Sequence, residues 1–179
     1  VNTALDAIDR IRDTAASHDR LFIVEVMGRN AGLIAAYVGV AGGAEIVFAP
    51  DFVTTVDQAV EKIKAGQARG KSSSILVAAE GQKPGRSYDL AEQIRKKSGL
   101  DAKVCILGHI QRGGTPTAID RILASRLGAA ATEGLLNGEK DVMYGVQGEQ
   151  IVKVPFEYAT SQVKATPKDL MQLTSILAN

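Results

Sequence analysis

Four short and almost uninterrupted apolar segments, alternating with amphipathic helical segments, constrain the fold of this chain more than any other feature of its sequence. They cover residues 21–27, 45–49, 74–79 and 104–107. Strands without polar alternation are typical of parallel sheets that helices cover on both faces. The pattern therefore predicts an α/β fold in which a parallel, doubly wound sheet lies between flanking helices, in a Rossmann-like three-layer arrangement.

Capping residues mark the boundaries of the predicted helices. Thr55 and Gln58 match a capping box that begins a helix. Gly42 and Gly43 are expected to end the preceding helix through a left-handed residue. Helical periodicity predicts further helices at residues 3–16, 33–40, 88–97 and 117–136.

The last part of the chain adds two short predicted strands and a final helix. The strands cover residues 142–146 and 150–154. Pro167 is expected at the first position of the final helix, where its missing N–H is not needed. The helix is expected to turn three leucines toward the core: Leu170, Leu173 and Leu177.

Composition excludes several classes of function. The net charge of +1, the 4% of aromatic residues and the absence of Trp argue against a nucleic-acid partner. No apolar stretch reaches the roughly 20 residues of a membrane span, and no signal peptide is visible. The single cysteine, Cys105, cannot form an internal disulfide and is expected to be a small core residue. We therefore expect a cytoplasmic protein that binds neither nucleic acid nor membrane.

Three polar segments follow strands of the predicted sheet, at residues 27–32, 80–81 and 108–114. Ligands bind open α/β sheets beyond the carboxyl ends of their strands. Glycine lets a ligand approach the backbone, an arginine fork suits phosphate, and a glutamate can accept hydrogen bonds from sugar hydroxyls. Each segment taken singly also fits a structural interpretation: a tight turn with a solvated arginine, a solvated strand end, or a glycine-rich loop.

A fourth polar segment, residues 69–74, offers two cations and three hydroxyls before a strand. It is similar to an anion-binding nest, although a charged connection between helix and strand explains it too. It is not a Walker P-loop, because its spacing differs and a strand follows it instead of a helix. His18 is expected on a surface loop. No Cys/His metal spacing and no Ser-His-Asp arrangement is apparent.

Taken together, these segments resemble the carboxyl-terminal half of a bacterial-type ATP-dependent 6-phosphofructokinase, over essentially the whole chain. The resemblance is carried by residues 24–29, 42–45, 107–114, 116, 120–121 and 124–128. It implies a phosphofructokinase-like but incomplete fold. It also implies transfer of the γ-phosphoryl group of ATP to the 1-hydroxyl of fructose 6-phosphate, which gives fructose 1,6-bisphosphate in glycolysis.

The resemblance assigns a set of substrate-binding residues. Arg29 would stabilise charge on the transferred phosphoryl group, and His109 with Arg112 would bind the 6-phosphate. Arg20 and Lys103 would reach that phosphate from a neighbouring subunit, with Lys103 standing where the family usually has Arg. The whole set in the chain's own subunit is Met27, Gly28, Arg29, Glu80, His109, Ile110, Gln111 and Arg112.

The resemblance also implies a regulatory site for ADP or a phosphoenolpyruvate-type effector, placed between the subunits of a homotetramer. Glu45 would face a magnesium ion on the effector. The ATP would carry Mg²⁺ as well, bound by a ligand that this chain lacks. The implied effector residues are Arg12, Gly43, Ala44, Glu45, Arg69, Lys71, Ser72 and Ser73.

The implied organisation has three parts. Residues 1–109 would form the sugar-phosphate domain, residues 110–158 would belong to the nucleotide domain, and residues 159–179 would return to the first. The chain has no Thr-Ile-Asp-Asn-Asp-like segment to supply a catalytic base, so we expect it to be inactive alone. Two alternatives stay open: a pyrophosphate-dependent phosphofructokinase, and a non-catalytic sugar-phosphate-binding or regulatory fragment.

Overall fold

The computed structural model describes residues 1–15, 20–82, 84–162 and 165–178. His18 lies outside these residues. The chain divides into two compact units, one formed by Val1–Gly114 with Ala165–Asn179 and the other by Thr115–Lys164. Within the described residues, no helix is both long and apolar enough to cross a lipid bilayer.

A four-stranded parallel sheet forms the centre of the first unit. Its strands are β1 (Arg20–Val26), β2 (Ile46–Phe48), β3 (Ser73–Ala79) and β4 (Ala102–Ile106), arranged in the order β2-β3-β1-β4. The predicted α/β fold with a parallel sheet is confirmed. Because β1 lies between β3 and β4, the segments that follow these three strands leave the sheet side by side.

Helices cover both faces of this sheet, and each face has its own apolar core. They are α1 (Asn2–Ala15), α2 (Leu33–Ala41), α3 (Val56–Ala68) and α4 (Arg86–Ser98). On β1, Val24 and Val26 enter the core shared with α1 and α2, while Leu21 and Ile23 enter the core shared with α3 and α4. Successive strand residues point to opposite faces, so a strand buried on both sides must be apolar throughout.

Local capping accounts for the helix ends. Thr55 and Gln58 form the expected reciprocal capping box at the start of α3. At the end of α2, Gly42 keeps a right-handed φ of −86°. The left-handed residue of this pair is Gly43, with a φ of +62°.

The second unit contains a long helix, α5 (Ala118–Leu136), and an antiparallel hairpin of β5 (Val142–Gln147) and β6 (Gln150–Pro155). Thr117 caps α5 in a capping box with Asp120. These elements follow the sequence prediction to within one residue at each described end. The short helix α6 (Phe156–Ser161) was not expected, because one and a half turns give too little periodicity to detect.

The chain then returns to the first unit through α7 (Lys168–Leu177), and here two expectations are wrong. Pro167 is the N-cap residue instead of the first helical residue. Leu170 is partly buried and packs against the core as expected, but Leu173 and Leu177 are 38% and 58% exposed. The buried stripe runs through Met171 and Thr174, which are one helical step away from the predicted face.

Candidate functional site

The carboxyl ends of β1, β3 and β4 bring the three predicted polar segments together. Val26 pairs with Ala79, and Glu25 pairs with Ile106, so the three strands end at the same level. A cavity of about 480 Å³ opens beyond them. Six of the eight residues expected to bind substrate within this subunit line it: Met27, Gly28, Arg29, Glu80, His109 and Arg112.

The first wall is the turn after β1, and its backbone is tightly constrained. Gly28 has a φ of +153°, and a Cβ there would collide with the carbonyl oxygen of Ala31. Arg29 has a φ of +46°, a left-handed conformation that few non-glycine residues adopt. Strain of this kind concentrates at binding sites, where the surrounding structure maintains it. The turn therefore presents Arg29 in a conformation that free peptide would rarely sample.

Glu80 forms the second wall, at the end of β3. Its amide donates to the Val26 carbonyl oxygen at 2.9 Å. Its Oε1 accepts long hydrogen bonds from the amides of Gly28, at 3.3 Å, and Arg29, at 3.4 Å. Its Oε2 accepts no hydrogen bond from any described residue. One carboxylate oxygen thus tethers the turn after β1, while the other stays available to a ligand hydroxyl.

The third wall is a short 3-10 helix at Gly108–Arg112, where the sequence had indicated only a polar, glycine-rich stretch. Residues three apart in a 3-10 helix lie on the same side. His109 and Arg112 therefore both line the cavity, whereas Ile110 points away and is 60% exposed. The 3-10 geometry decides which of these side chains reach a ligand.

Gln111 has a different position from the one expected of a substrate ligand. It is not among the residues that line the cavity. Its side-chain Oε1 accepts the amide N–H of Met27 at 2.8 Å. Gln111 thus joins the third wall to the first, and in this structure it supports the cavity from outside.

The electrostatics of the cavity favour an anion. The side chains of Arg29, His109 and Arg112 make no hydrogen bond or ion pair with any described residue, and among the described lining residues Glu80 alone is acidic. An arginine fork without a protein partner is suited to bind phosphate oxygens in a bidentate manner. The cavity therefore offers cations for a phosphate and a free carboxylate oxygen for a hydroxyl.

The backbones of Arg20 and Lys103, the residues expected to act across subunits, lie toward the opposite end of the sheet from this cavity. Arg20 begins β1 opposite Ser73, at the amino end of the sheet. Lys103 lies near the start of β4, where its ammonium group contacts Asp101 at 2.6 Å. Lys103 lines a separate cavity of about 230 Å³ together with Lys71, Ser72 and Ser73.

The residues expected to bind an effector lie near the amino ends of the strands, and most are held by internal contacts. Arg12 donates to the carbonyl oxygens of Gly42 and Gly43. Arg69 donates to the Ala178 carbonyl oxygen at 3.0 Å. An anion would have to compete with these backbone acceptors for both guanidinium groups.

Glu45 does not fit the role of a magnesium ligand in this structure. The residue is only 2% exposed. Its Oε1 contacts the Lys71 ammonium at 2.8 Å, and its Oε2 accepts the Ile75 amide at 2.6 Å. Across the described parts of the chain, no group of three or more His, Cys, Asp or Glu residues could hold a metal ion. Glu45 instead orients Lys71 at the start of β3.

Cys105 has the structural character expected from the sequence. It is half-buried and packs against the core shared by α1 and α2. Burial raises the pKa of its thiol, because the charged thiolate is poorly solvated there. The side chain is therefore an unreactive part of the packing.

Comparison with known proteins gives a consistent result along the chain. Residues 1–135 match the family model described as phosphofructokinase. The ATP-dependent 6-phosphofructokinase 1 of Thermus thermophilus is 52% identical over 178 residues, and the ATP-dependent 6-phosphofructokinase of Brevibacillus brevis is 49% identical over 178 residues. Each alignment covers 99% of this chain and 55% of the relative. The chain thus spans about half the length of the curated relatives it matches.

Solved phosphofructokinase structures superimpose on almost the whole chain. The phosphofructokinase of Saccharomyces cerevisiae superimposes with a TM-score of 0.83 at 34% identity, over 98% of this chain and 25% of that chain. A pyrophosphate-dependent phosphofructokinase from Marinobacter aquaeolei gives a TM-score of 0.72 at 22% identity, over 97% of this chain and 52% of that chain. At that identity, the second likeness bears on the fold alone.

Proposed function

The chain belongs to the phosphofructokinase family, and from this premise we propose that it is the sugar-phosphate-binding part of an ATP-dependent 6-phosphofructokinase. The whole enzyme would transfer the γ-phosphoryl group of ATP to the 1-hydroxyl of fructose 6-phosphate, giving fructose 1,6-bisphosphate and ADP. One observation carries the proposal: unpaired arginines, a histidine and a free carboxylate oxygen share one cavity. We propose the cytoplasm as the location of this reaction.

The lining residues suggest how the sugar is held. His109 and Arg112, on one side of the 3-10 helix, bind the 6-phosphate. Glu80 Oε2 accepts a hydrogen bond from a sugar hydroxyl. Arg29 stabilises the charge that develops on the phosphoryl group during transfer, because a cation aimed at that charge lowers the free energy of the transition state.

The catalytic base and the ATP site are proposed to lie outside this chain. We assign residues 110–158 to the nucleotide domain and residues 159–179 to the sugar-phosphate domain. Exposed apolar side chains on α5, such as Ile119 at 77% and Leu136 at 81%, support a packing partner for the second unit. Mg²⁺ is proposed only as the companion of ATP, bound by residues beyond those described.

A homotetramer is proposed from the position of two cations. Arg20 and Lys103 lie toward the amino end of the sheet, opposite to the cavity beyond the carboxyl ends. We propose that from there they reach the 6-phosphate bound by another subunit. The expected effector residues near the amino ends of the strands, which include Arg69 and Lys71, are proposed to bind a nucleoside diphosphate or a phosphoenolpyruvate-type effector.

Calorimetric titration of the full-length protein with fructose 6-phosphate tests the proposal. Arg112→Ala should weaken binding by about tenfold to a hundredfold, since it removes a charge-assisted phosphate contact. Arg95→Ala serves as the control, because Arg95 is an exposed arginine of α4 that does not line the cavity. Equal affinities for the two variants would remove the basis of the proposed sugar-phosphate site.

A further inference from the structure

Glu25 is a buried carboxylate in the middle of the sheet that the proposed chemistry does not use. It belongs to β1 and is 1% exposed. It forms no ion pair with any described residue. A buried charged group is costly unless hydrogen bonds satisfy it, so the partners of Glu25 indicate what the residue does.

The carboxylate of Glu25 holds the beginning of α4. Its Oε1 accepts the Gly85 amide at 2.7 Å, and its Oε2 accepts the Ser87 amide at 2.9 Å. Gly85 is the N-cap of α4 and has a φ of +96°, with no side chain to cap the helix. Glu25 therefore supplies the missing cap, at the helix end where amide groups favour a negative charge.

The contact between Glu25 and the start of α4 helps to position the cavity wall that contains Glu80. Gly81, Gln82 and Pro84 line the cavity beside Glu80, and Gly85 follows them directly. The segment is fixed at its start by the hydrogen bond from the Glu80 amide to Val26, and at its end by Glu25. Without the second contact, the end of the segment would lose its hydrogen bond to the sheet.

The backbone of Glu25 contacts the segment that leads to the opposite wall of the cavity, the 3-10 helix with His109 and Arg112. Its carbonyl oxygen accepts the Leu107 amide at 3.0 Å. Leu107 directly precedes the 3-10 helix that carries His109 and Arg112. One residue thus contacts both the segment after β3 and the segment after β4.

We propose that Glu25 is a positioning residue that sets the separation between the Glu80 wall and the His109–Arg112 wall. The proposal rests on the proposed function for the identity of the ligand, fructose 6-phosphate. The geometric part stands on the contacts of Glu25 alone. A cavity whose walls are fixed before the ligand arrives binds more tightly, because less conformational entropy is lost on binding.

Glu25→Gln in the full-length protein tests this role. The amide group keeps the volume but turns an N–H donor toward one of the two backbone amides, so one contact is lost. Hydrogen exchange at Gly85 and Ser87 should become faster. KM for fructose 6-phosphate should rise by about tenfold with a much smaller change in kcat, because ground-state positioning is lost while the transferring groups stay in place.

Ser87→Ala is the matched control. The Ser87 hydroxyl is buried and has no hydrogen-bond partner in the structure, while the amide that contacts Glu25 is unaffected by the change. KM and kcat should stay at their wild-type values. A KM raised as much as in Glu25→Gln would mean that any disturbance of the α4 terminus has the same effect, which overturns a specific role for Glu25.

A second variant covers the case in which Glu25→Gln does not fold. Glu25→Asp keeps the carboxylate but shortens the side chain by one methylene group, so the hydrogen bonds from the Gly85 and Ser87 amides are weakened. It should raise KM in the same direction. If the Glu25 variant that folds has a KM for fructose 6-phosphate within about twofold of the wild-type value, the proposal is overturned. If the wild-type protein does not bind fructose 6-phosphate at all, the proposed function fails, while hydrogen exchange at Gly85 and Ser87 still tests the positioning contact.

Discussion

The side-chain carbonyl oxygen of Gln111 accepts the backbone amide of Met27 at 2.8 Å, across a separation of 84 residues. This hydrogen bond joins the turn after β1 to the 3-10 helix. Gln111→Met keeps the length of the side chain but leaves the Met27 amide without its acceptor. We expect a loss of about 1–2 kcal/mol in the free energy of unfolding, together with weaker fructose 6-phosphate binding.

Chemical denaturation and calorimetry would measure the two effects of Gln111→Met. Gln93→Met is the control, because the Gln93 side chain is exposed on α4 and makes no hydrogen bond with any described residue. Wild-type stability in Gln111→Met would contradict a bracing role for this hydrogen bond.

Gly28 should not tolerate a side chain. Gly28→Ala combines a positive φ with a collision against the Ala31 carbonyl oxygen, so we expect a loss of about 2 kcal/mol or more in unfolding free energy. Gly70→Ala separates the effect of the positive φ from the effect of the collision. Its φ is +85°, but no atom lies within 4 Å of the added Cβ, and about 1 kcal/mol is expected. Similar losses in both variants, measured by denaturant unfolding, would show that the collision is relieved by movement.

Arg29 should affect catalysis more than binding in the full-length enzyme. Arg29→Ala removes a cation from the cavity, and the proposed role in charge stabilisation predicts a fall in kcat of about a hundredfold to a thousandfold. Arg112→Ala should instead act mainly on KM for fructose 6-phosphate. Steady-state kinetics of the two variants would test this division, which fails if both changes act on KM alone.

Asp51 should make the first unit sensitive to acid. Burial acts to raise the pKa of Asp51, but hydrogen bonds from the Thr166 hydroxyl and amide, with smaller backbone contributions, hold it below its ordinary value of 3.8. A carboxylate with a lowered folded-state pKa stabilises the protein above its unfolded-state pKa. That contribution is lost as the pH falls below about 4, through the folded-state pKa.

Thermal unfolding at a series of pH values would measure this contribution. In Asp51→Asn, Tm should already be lower near neutral pH and should fall less steeply below about pH 4. Asp6→Asn is the control, since Asp6 is exposed and its carboxylate accepts no hydrogen bond from the described residues. The same pH profile in wild type and Asp51→Asn would contradict the role of the Asp51–Thr166 contact.

The ion pair between Lys71 and Glu45 should contribute more to the free energy of unfolding than a fully exposed ion pair does. Glu45 is buried, while the Lys71 side chain is 44% exposed and partly screened by solvent. Lys71→Met leaves the buried carboxylate without its cation, and we expect a loss of about 1–2 kcal/mol in unfolding free energy. Lys96→Met breaks the exposed pair with Glu92 and should leave stability unchanged. Equal effects in the two variants would argue against a structural role for Glu45.

Much of the fold could be predicted because its causes are local. The apolar runs and the Thr55–Gln58 capping box act over a few residues. The buried face of α7 was predicted wrongly because packing against other elements of the fold, and not periodicity alone, decides which face of a helix is buried. In the structure Met171, instead of Leu173, enters the core.

The sequence by itself determined the strands, most helices and the chemical types of residue at the carboxyl ends of β1, β3 and β4. Tertiary structure alone decided which of those side chains share a cavity. His109 and Arg112 line it because a 3-10 turn puts them on one side, and Gln111 is diverted to the Met27 amide. Periodicity and capping depend on neighbours in the chain, whereas cavity walls depend on strand order and on hydrogen bonds between distant residues, which no local pattern encodes.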